Sequence, residues 1–148
     1  MEDQPYGGSV SGFFFCVWSA PTPEGQPSER EAVYLRHRAE AHIVQELLAP
    51  LYESEGISLL TSDDEVIPPQ KLAALEAAVR SIAAGVERQP ATWHVQIGNR
   101  LKPFKEEFGE PIYCLAERER LLKFLLEVLT EIDVAKCQGH YLIWAGGT

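Results

Sequence analysis

Ile57-Ser58-Leu59-Leu60-Thr61, then Ser62-Asp63-Asp64-Glu65, then Pro68-Pro69 opening a striped apolar stretch: this run reads as a strand, a polar link and a helix. Asp and Ser favour turns because their side chains bond nearby backbone groups. Proline at the first helical position loses no hydrogen bond, since that N–H is unpaired in any helix. Leu72, Leu75, Val79, Ile82 and Val86 then recur at three- and four-residue spacing, the stripe of an amphipathic helix, and Gln89-Pro90 ends it. The pattern returns downstream. Ile112-Tyr113-Cys114-Leu115 reads as a strand, and a helix runs from about Ala116 to Lys136. Neither link carries a nucleophile elbow, a phosphate-cradling glycine pattern or a metal-ligand pair.

Working outward, Phe13-Phe14-Phe15-Cys16-Val17-Trp18 has apolar residues at both parities, which suits a strand covered on both faces. Ala20 to Pro27 holds three prolines and a glycine and reads as a loop. Ser28 and Glu31 stand at capping-box spacing, so a first helix is expected from there to about Glu53. Val44, Leu47, Leu48, Leu51 and Tyr52 form its apolar face, Pro50 should kink it or end it early, and Gly56 is a stop. Trp93, Val95 and Ile97 alternate with His94 and Gln96, a strand with one apolar face. The third helix is apolar around much of its circumference, and Gly139 fits its C-terminal cap. His140 to Trp144 is again apolar at both parities, hence another inner strand. The predicted order is β-α-β-α-β-β-α-β. This is an α/β or α+β domain in one layered body, with a mixed sheet of about five strands and three helices. Residues 1–12, polar and rich in Gly and Ser, read as a flexible leader, with a single domain over 13–148.

A chain of 148 residues buries about 70% of its unfolded surface without staples. The net charge of −9 disfavours nucleic acid and anionic membranes, whose phosphates need Lys and Arg, and it attracts a basic protein. The charge also serves solubility. The first basic residue is Arg30 and the apolar run at Phe13 is short, so neither an export signal nor a membrane span is expected. Three cysteines, an odd number, point to reduced thiols and a cytoplasmic protein.

Cys137 and His140 are close in sequence. However, a helix C-terminus disfavours a thiolate, and no second Cys/His pair completes a zinc site. His37 and His42, five apart, lie on different helix faces, and Arg36 and Arg38 flank the first in a short basic patch. That patch is either a solvated helix face or a contact for phosphate or an acidic partner. Ser19, Thr61 and Ser62 lack a nucleophile-elbow context. Gly146-Gly147 precede no helix, so they cannot form a dinucleotide turn. No catalytic residue, metal or cofactor is therefore expected. Asp63, Asp64 and Glu65 form the densest acidic run, serving either as a turn alone or as a prong for Arg or Lys of a partner. The connection from Gly98 to Pro111 includes Arg100, Lys102, Phe104, Glu106 and Glu107, a mixture of charge and aromatic surface suited to protein contact. Its phenylalanines fit the core equally well.

The stretch Leu60-Thr61-Ser62-Asp63-Asp64-Glu65-Val66-Ile67-Pro68-Pro69-Gln70-Lys71-Leu72 and the ending Gly139-His140-Tyr141-Leu142-Ile143-Trp144 resemble small immunity proteins of bacterial polymorphic toxin systems. The resemblance spans about half the chain and carries no site residues. It implies a compact acidic cytosolic protein, not an enzyme, that neutralises a toxin domain by binding it. Two other functions fit the sequence: an acidic secretion chaperone for an effector, and a small enzyme whose cleft gathers His94, Cys114 and His140. Monomer and homodimer both remain open.

Overall fold

The computed structural model describes residues 2–4, 13–27, 32–101 and 108–147. The apolar run near the start forms strand β2 (Phe15–Ala20), which lies between two antiparallel neighbours, β3 (Val33–Leu35) and β7 (Tyr141–Gly146). Both apolar parities are used as the sequence predicts: Phe15 and Val17 are fully buried, and Cys16 nearly so. The four-stranded sheet has the order β3-β2-β7-β4, with β4 spanning Asp64–Ile67. Helix α4 (Arg118–Gln138) lies against this sheet, with Leu121, Phe124, Leu125, Val128 and Ile132 buried. At the centre, Trp144 meets Phe15 and Phe124 edge-on, at 5.5 and 6.0 Å between ring centres. Helix α3 (Leu72–Val86) packs beside α4 and buries the five residues of its stripe, together with Ala83.

A second sheet stands apart. β5 (Thr92–Leu101) and β6 (Phe108–Glu117) form a long antiparallel hairpin, and β1 (Glu2–Gln4) adds to β6 in parallel. Trp93, Val95 and Ile97 turn inward with Cys114 and Ala116. They pack on Ala39 and Ile43 of helix α1 (Arg38–Leu48), forming a small core of their own. The fold is thus α+β. Among the described residues it has four helices and two sheets in place of the expected three helices and one mixed sheet. The hairpin's apolar face is covered by α1, and its β6 edge pairs with β1, not with the larger sheet.

Other boundaries also differ. Ile57 to Thr61 is not a strand, although Ile57 and Leu59 are buried in alternation. Its backbone bonds elsewhere: the Thr61 N–H donates to the Gln45 side chain at 2.9 Å. The strand, β4, begins seven residues later than expected, inside the expected polar link, and Pro68 connects it to a 3-10 turn (Pro69–Lys71) before α3. A strand leading into a helix does occur twice, β4 before α3 and β6 before α4, but the two strands lie in different sheets, so the likeness is one of element order alone. The first helix begins at Arg38, because Val33–Leu35 instead completes the sheet edge beside β2. The Ser28–Glu31 capping box lies outside the described residues. Pro50 does end the helix, and a short α2 (Leu51–Glu55) follows, closed by Gly56 at φ 71°. Gly139, at φ 67°, caps α4. The strands of the hairpin reach Leu101 and resume at Phe108, so much of the expected Gly98–Pro111 connection is ladder. Within the expected leader, Glu2–Gln4 form β1.

Candidate functional site

The break at Pro50 determines which apolar residues face water. Val44, Leu48 and Leu51 stay in the core, while Leu47 is 52% exposed and Tyr52 65% exposed. Across from Tyr52, the extended segment 57–60 turns Ile57 and Leu59 inward and leaves Leu60 42% exposed. Between them lies an open groove of about 550 Å³, walled by Gln45, Ala49, Tyr52 and Leu60 and closed at one end by Asp63. The Gln45–Thr61 bond fixes its near wall. On the other side of Leu47 a second groove of about 510 Å³ runs between α1 and α3, with Ile43, Ile82, Val86 and Trp93 along it. Isolated exposed apolar residues are ordinary, but an exposed tyrosine and an exposed leucine lining one groove have the composition of an interface centre.

Among the residues expected to contact a partner, Asp63, Asp64 and Glu65 are not a single prong. Asp63 sits in a turn, with its N–H bonded to the Leu60 carbonyl at 3.2 Å, and is exposed beside the groove. Asp64 and Glu65 belong to β4, so they point to opposite faces of the sheet. Asp64 is exposed, and its carboxylate accepts the Gly146 N–H at 3.2 Å, while the Asp63 carbonyl accepts the same N–H at 2.8 Å. Gly146 permits this approach: a Cβ there would lie 2.5 Å from the Thr61 carbonyl oxygen and 2.6 Å from that of Asp63. Arg100 is in β5 near a register irregularity. Lys102, Phe104, Glu106 and Glu107 lie outside the described residues.

The histidine–cysteine cleft does not form. His94 is exposed, and Cys114 is buried on the opposite face of the hairpin, where it pairs with Val95, not His94. His140 precedes β7 in the other sheet. Burial pushes the Cys16 thiol up, against a Tyr34 hydrogen bond and the Arg36 charge, which favour ionisation. Cys137 is exposed at the end of α4. Among the described residues no group of three His, Cys, Asp or Glu could hold a metal, and no helix is long and apolar enough to cross a membrane.

One buried charge was not legible in the sequence. Glu40 is fully buried. Its Oε1 accepts from the Glu117 N–H at 2.7 Å and from Arg120 Nη2 at 2.7 Å and Nε at 3.1 Å. Oε2 is buried and has no hydrogen-bond partner among the described residues. Arg120 also meets Glu117 at 2.5 Å. Nearby, the His37 imidazole is held below its usual range, first by burial and then by the Arg120 charge, against the pull of Glu40 and Glu117. A cleft of about 300 Å³ opens beside Arg36, His37, Arg120 and Lys123. Its cations are largely neutralised, because Arg120 holds two carboxylates and Lys123 lies 4.0 Å from Glu127. This cluster joins α1 to the start of α4.

Sequence reading did place Leu47 and Tyr52 on an apolar face, and Pro50 at its break. That break was the available signal that the face does not stay buried. Comparison with known protein families, curated proteins and solved structures finds no match, enzymatic or otherwise.

Proposed function

We propose that this protein is of the immunity type: in the cytoplasm it binds a basic toxin domain and neutralises it by protein–protein contact. The observation that carries the proposal is the groove at the α1–α2 break, where exposed Tyr52 and Leu60 stand with the exposed carboxylate of Asp63, next in the chain to exposed Asp64. Apolar surface supplies the affinity, and Tyr is among the residues that dominate such contacts. The carboxylates and the net charge of −9 supply attraction and orientation towards Lys and Arg. The sequence resemblance to immunity proteins supports the choice of a toxin as the partner.

The test is capture from the native host by wild-type protein and by the Tyr52→Ala/Asp63→Lys double variant, followed by kinetics with the purified partner. The expected partner is basic and harmful when expressed alone, and co-expression of this chain relieves the harm. Its association with wild type slows as salt rises, through screening. The variant binds it at least about tenfold more weakly, a loss of about 1.4 kcal/mol. Equal capture by the variant, or a captured partner with no toxicity to relieve, refutes the proposal.

A further inference from the structure

Beside the Gln45–Thr61 bond, α1 and the hairpin line an open cleft of about 430 Å³. That volume falls within the usual range for small-molecule sites, about 300–1,000 Å³. Phe14, Ala41, Ile97 and Ile112 give it apolar walls. Arg38, His42 and Gln45 enter from α1 at spacings of four and three residues, so they lie along one helix face, and Asn99 comes from β5.

Two of these groups have unused donors. Gln45 must present its oxygen to the Thr61 N–H, a donor, which fixes the amide orientation and turns Nε2 away from that bond. Among the described residues Nε2 has no partner, and neither does the Arg38 guanidinium. Among the described residues lining the cleft, Arg38 is also the one that carries a permanent positive charge. His42 lies 3.2 Å from Glu46, which already offers it a carboxylate. An arginine fork and an amide donor two turns along the same helix face, above an apolar wall, complement a carboxylate with an apolar body. A doubly charged phosphate fits less well, since among the described residues Arg38 is the one unpaired permanent cation lining the cleft and the chain as a whole carries an excess of negative charge.

We propose that this cleft binds a small organic monocarboxylate with an aryl or alkyl body, its carboxylate on Arg38 and Gln45 and its body against Phe14, Ile97 and Ile112. The site shares the Gln45 wall with the protein-binding groove but faces it with a different set of residues, and its test involves no protein partner.

The probe is 4-phenylbutyrate, titrated into the isotope-labelled full chain and followed by amide NMR, with 4-phenylbutanamide as the uncharged counterpart and phenyl phosphate as the second anion. The expected result is saturable shifts at Ala41, Gln45, Gly98 and Asn99 and at the Gln45 side-chain amide. The neutral amide and phenyl phosphate should each bind at least about fivefold more weakly than the carboxylate, the scale of one charge-assisted contact. Arg38→Gln, an exposed position where the fold should tolerate change, is expected to weaken the carboxylate by a similar factor and to leave the neutral amide unaffected. The proposal is overturned by an absence of saturable shifts at these residues up to about 10 mM probe. Equal affinity for acid and neutral amide overturns it, as does tighter binding of phenyl phosphate or an Arg38→Gln variant that binds the acid like wild type.

Discussion

Glu40 shows how one side chain holds two parts of a fold together. Its carboxylate reaches the β6–α4 junction through the Glu117 N–H and Arg120, so its removal strands a buried donor and a partly buried guanidinium. Breaking a buried pair from one side costs about 3–5 kcal/mol. Arg120 is 30% exposed and keeps Glu117, so the lower end is expected, about 3 kcal/mol for Glu40→Ala. Glu40→Gln retains an acceptor and should cost less. Urea unfolding midpoints decide this, and an unchanged midpoint for Glu40→Ala would remove Glu40 as the link. Glu76 gives a pH-dependent counterpart. Its carboxyl is held below the usual range first by the Lys136 hydrogen bond at 3.0 Å, against desolvation, with Arg80 adding to the effect. A carboxyl whose folded pKa lies below its unfolded value adds stability above the ordinary carboxylate range, and that stability is lost as pH falls through the folded value. Lys136→Ala should therefore cost less than about 1 kcal/mol at neutral pH and nothing once acid has protonated Glu76. A stability difference that persists in acid would assign the effect to packing instead.

Among the elements, α4 separates apolar composition from burial. Leu125 is fully buried, whereas Leu126 is 55% exposed. Leu125→Ala should lose about 2–5 kcal/mol. Leu126→Ala should change stability by less than about 0.5 kcal/mol. Paired denaturant curves check this, and equal losses would place Leu126 in a packed contact. The difference reflects what a sequence can encode locally. The stripe of α3, the caps at Gly56 and Gly139, and the inner strands at Phe15 and Tyr141 were legible because period and turn chemistry are properties of neighbouring residues. β3 has three residues, and β4 opens with two acids, so neither displays a period; each is a strand because β2 or β7 offers an edge in register. The division into two sheets was hidden for the same reason, since pairing joins residues far apart in the chain. At the candidate groove, Tyr52 and Asp63 were each visible. Their convergence depended on the Pro50 break and on the path of segment 57–63, which local pattern does not specify.

Across the whole molecule, the two sheets have separate apolar centres. The larger gathers Phe15, Trp144 and the stripes of α3 and α4, while the smaller rests on Ala39, Cys114 and Ala116 with partly buried neighbours. Native proteins open in cooperative units whose free energies follow buried contacts, so a hairpin seated on a small centre should open before the main body does. Hydrogen exchange should then show β5 and β6 amides exchanging through a partial opening, and β2 and β7 amides only through global unfolding. The chain also carries its own chemical clock for that hierarchy. Cys137 is exposed, Cys114 is buried under the hairpin, and Cys16 lies in the main sheet. A thiol reagent should label them in that order under native conditions and together in denaturant. Simultaneous labelling of Cys114 and Cys16 would mean that the two sheets melt as one.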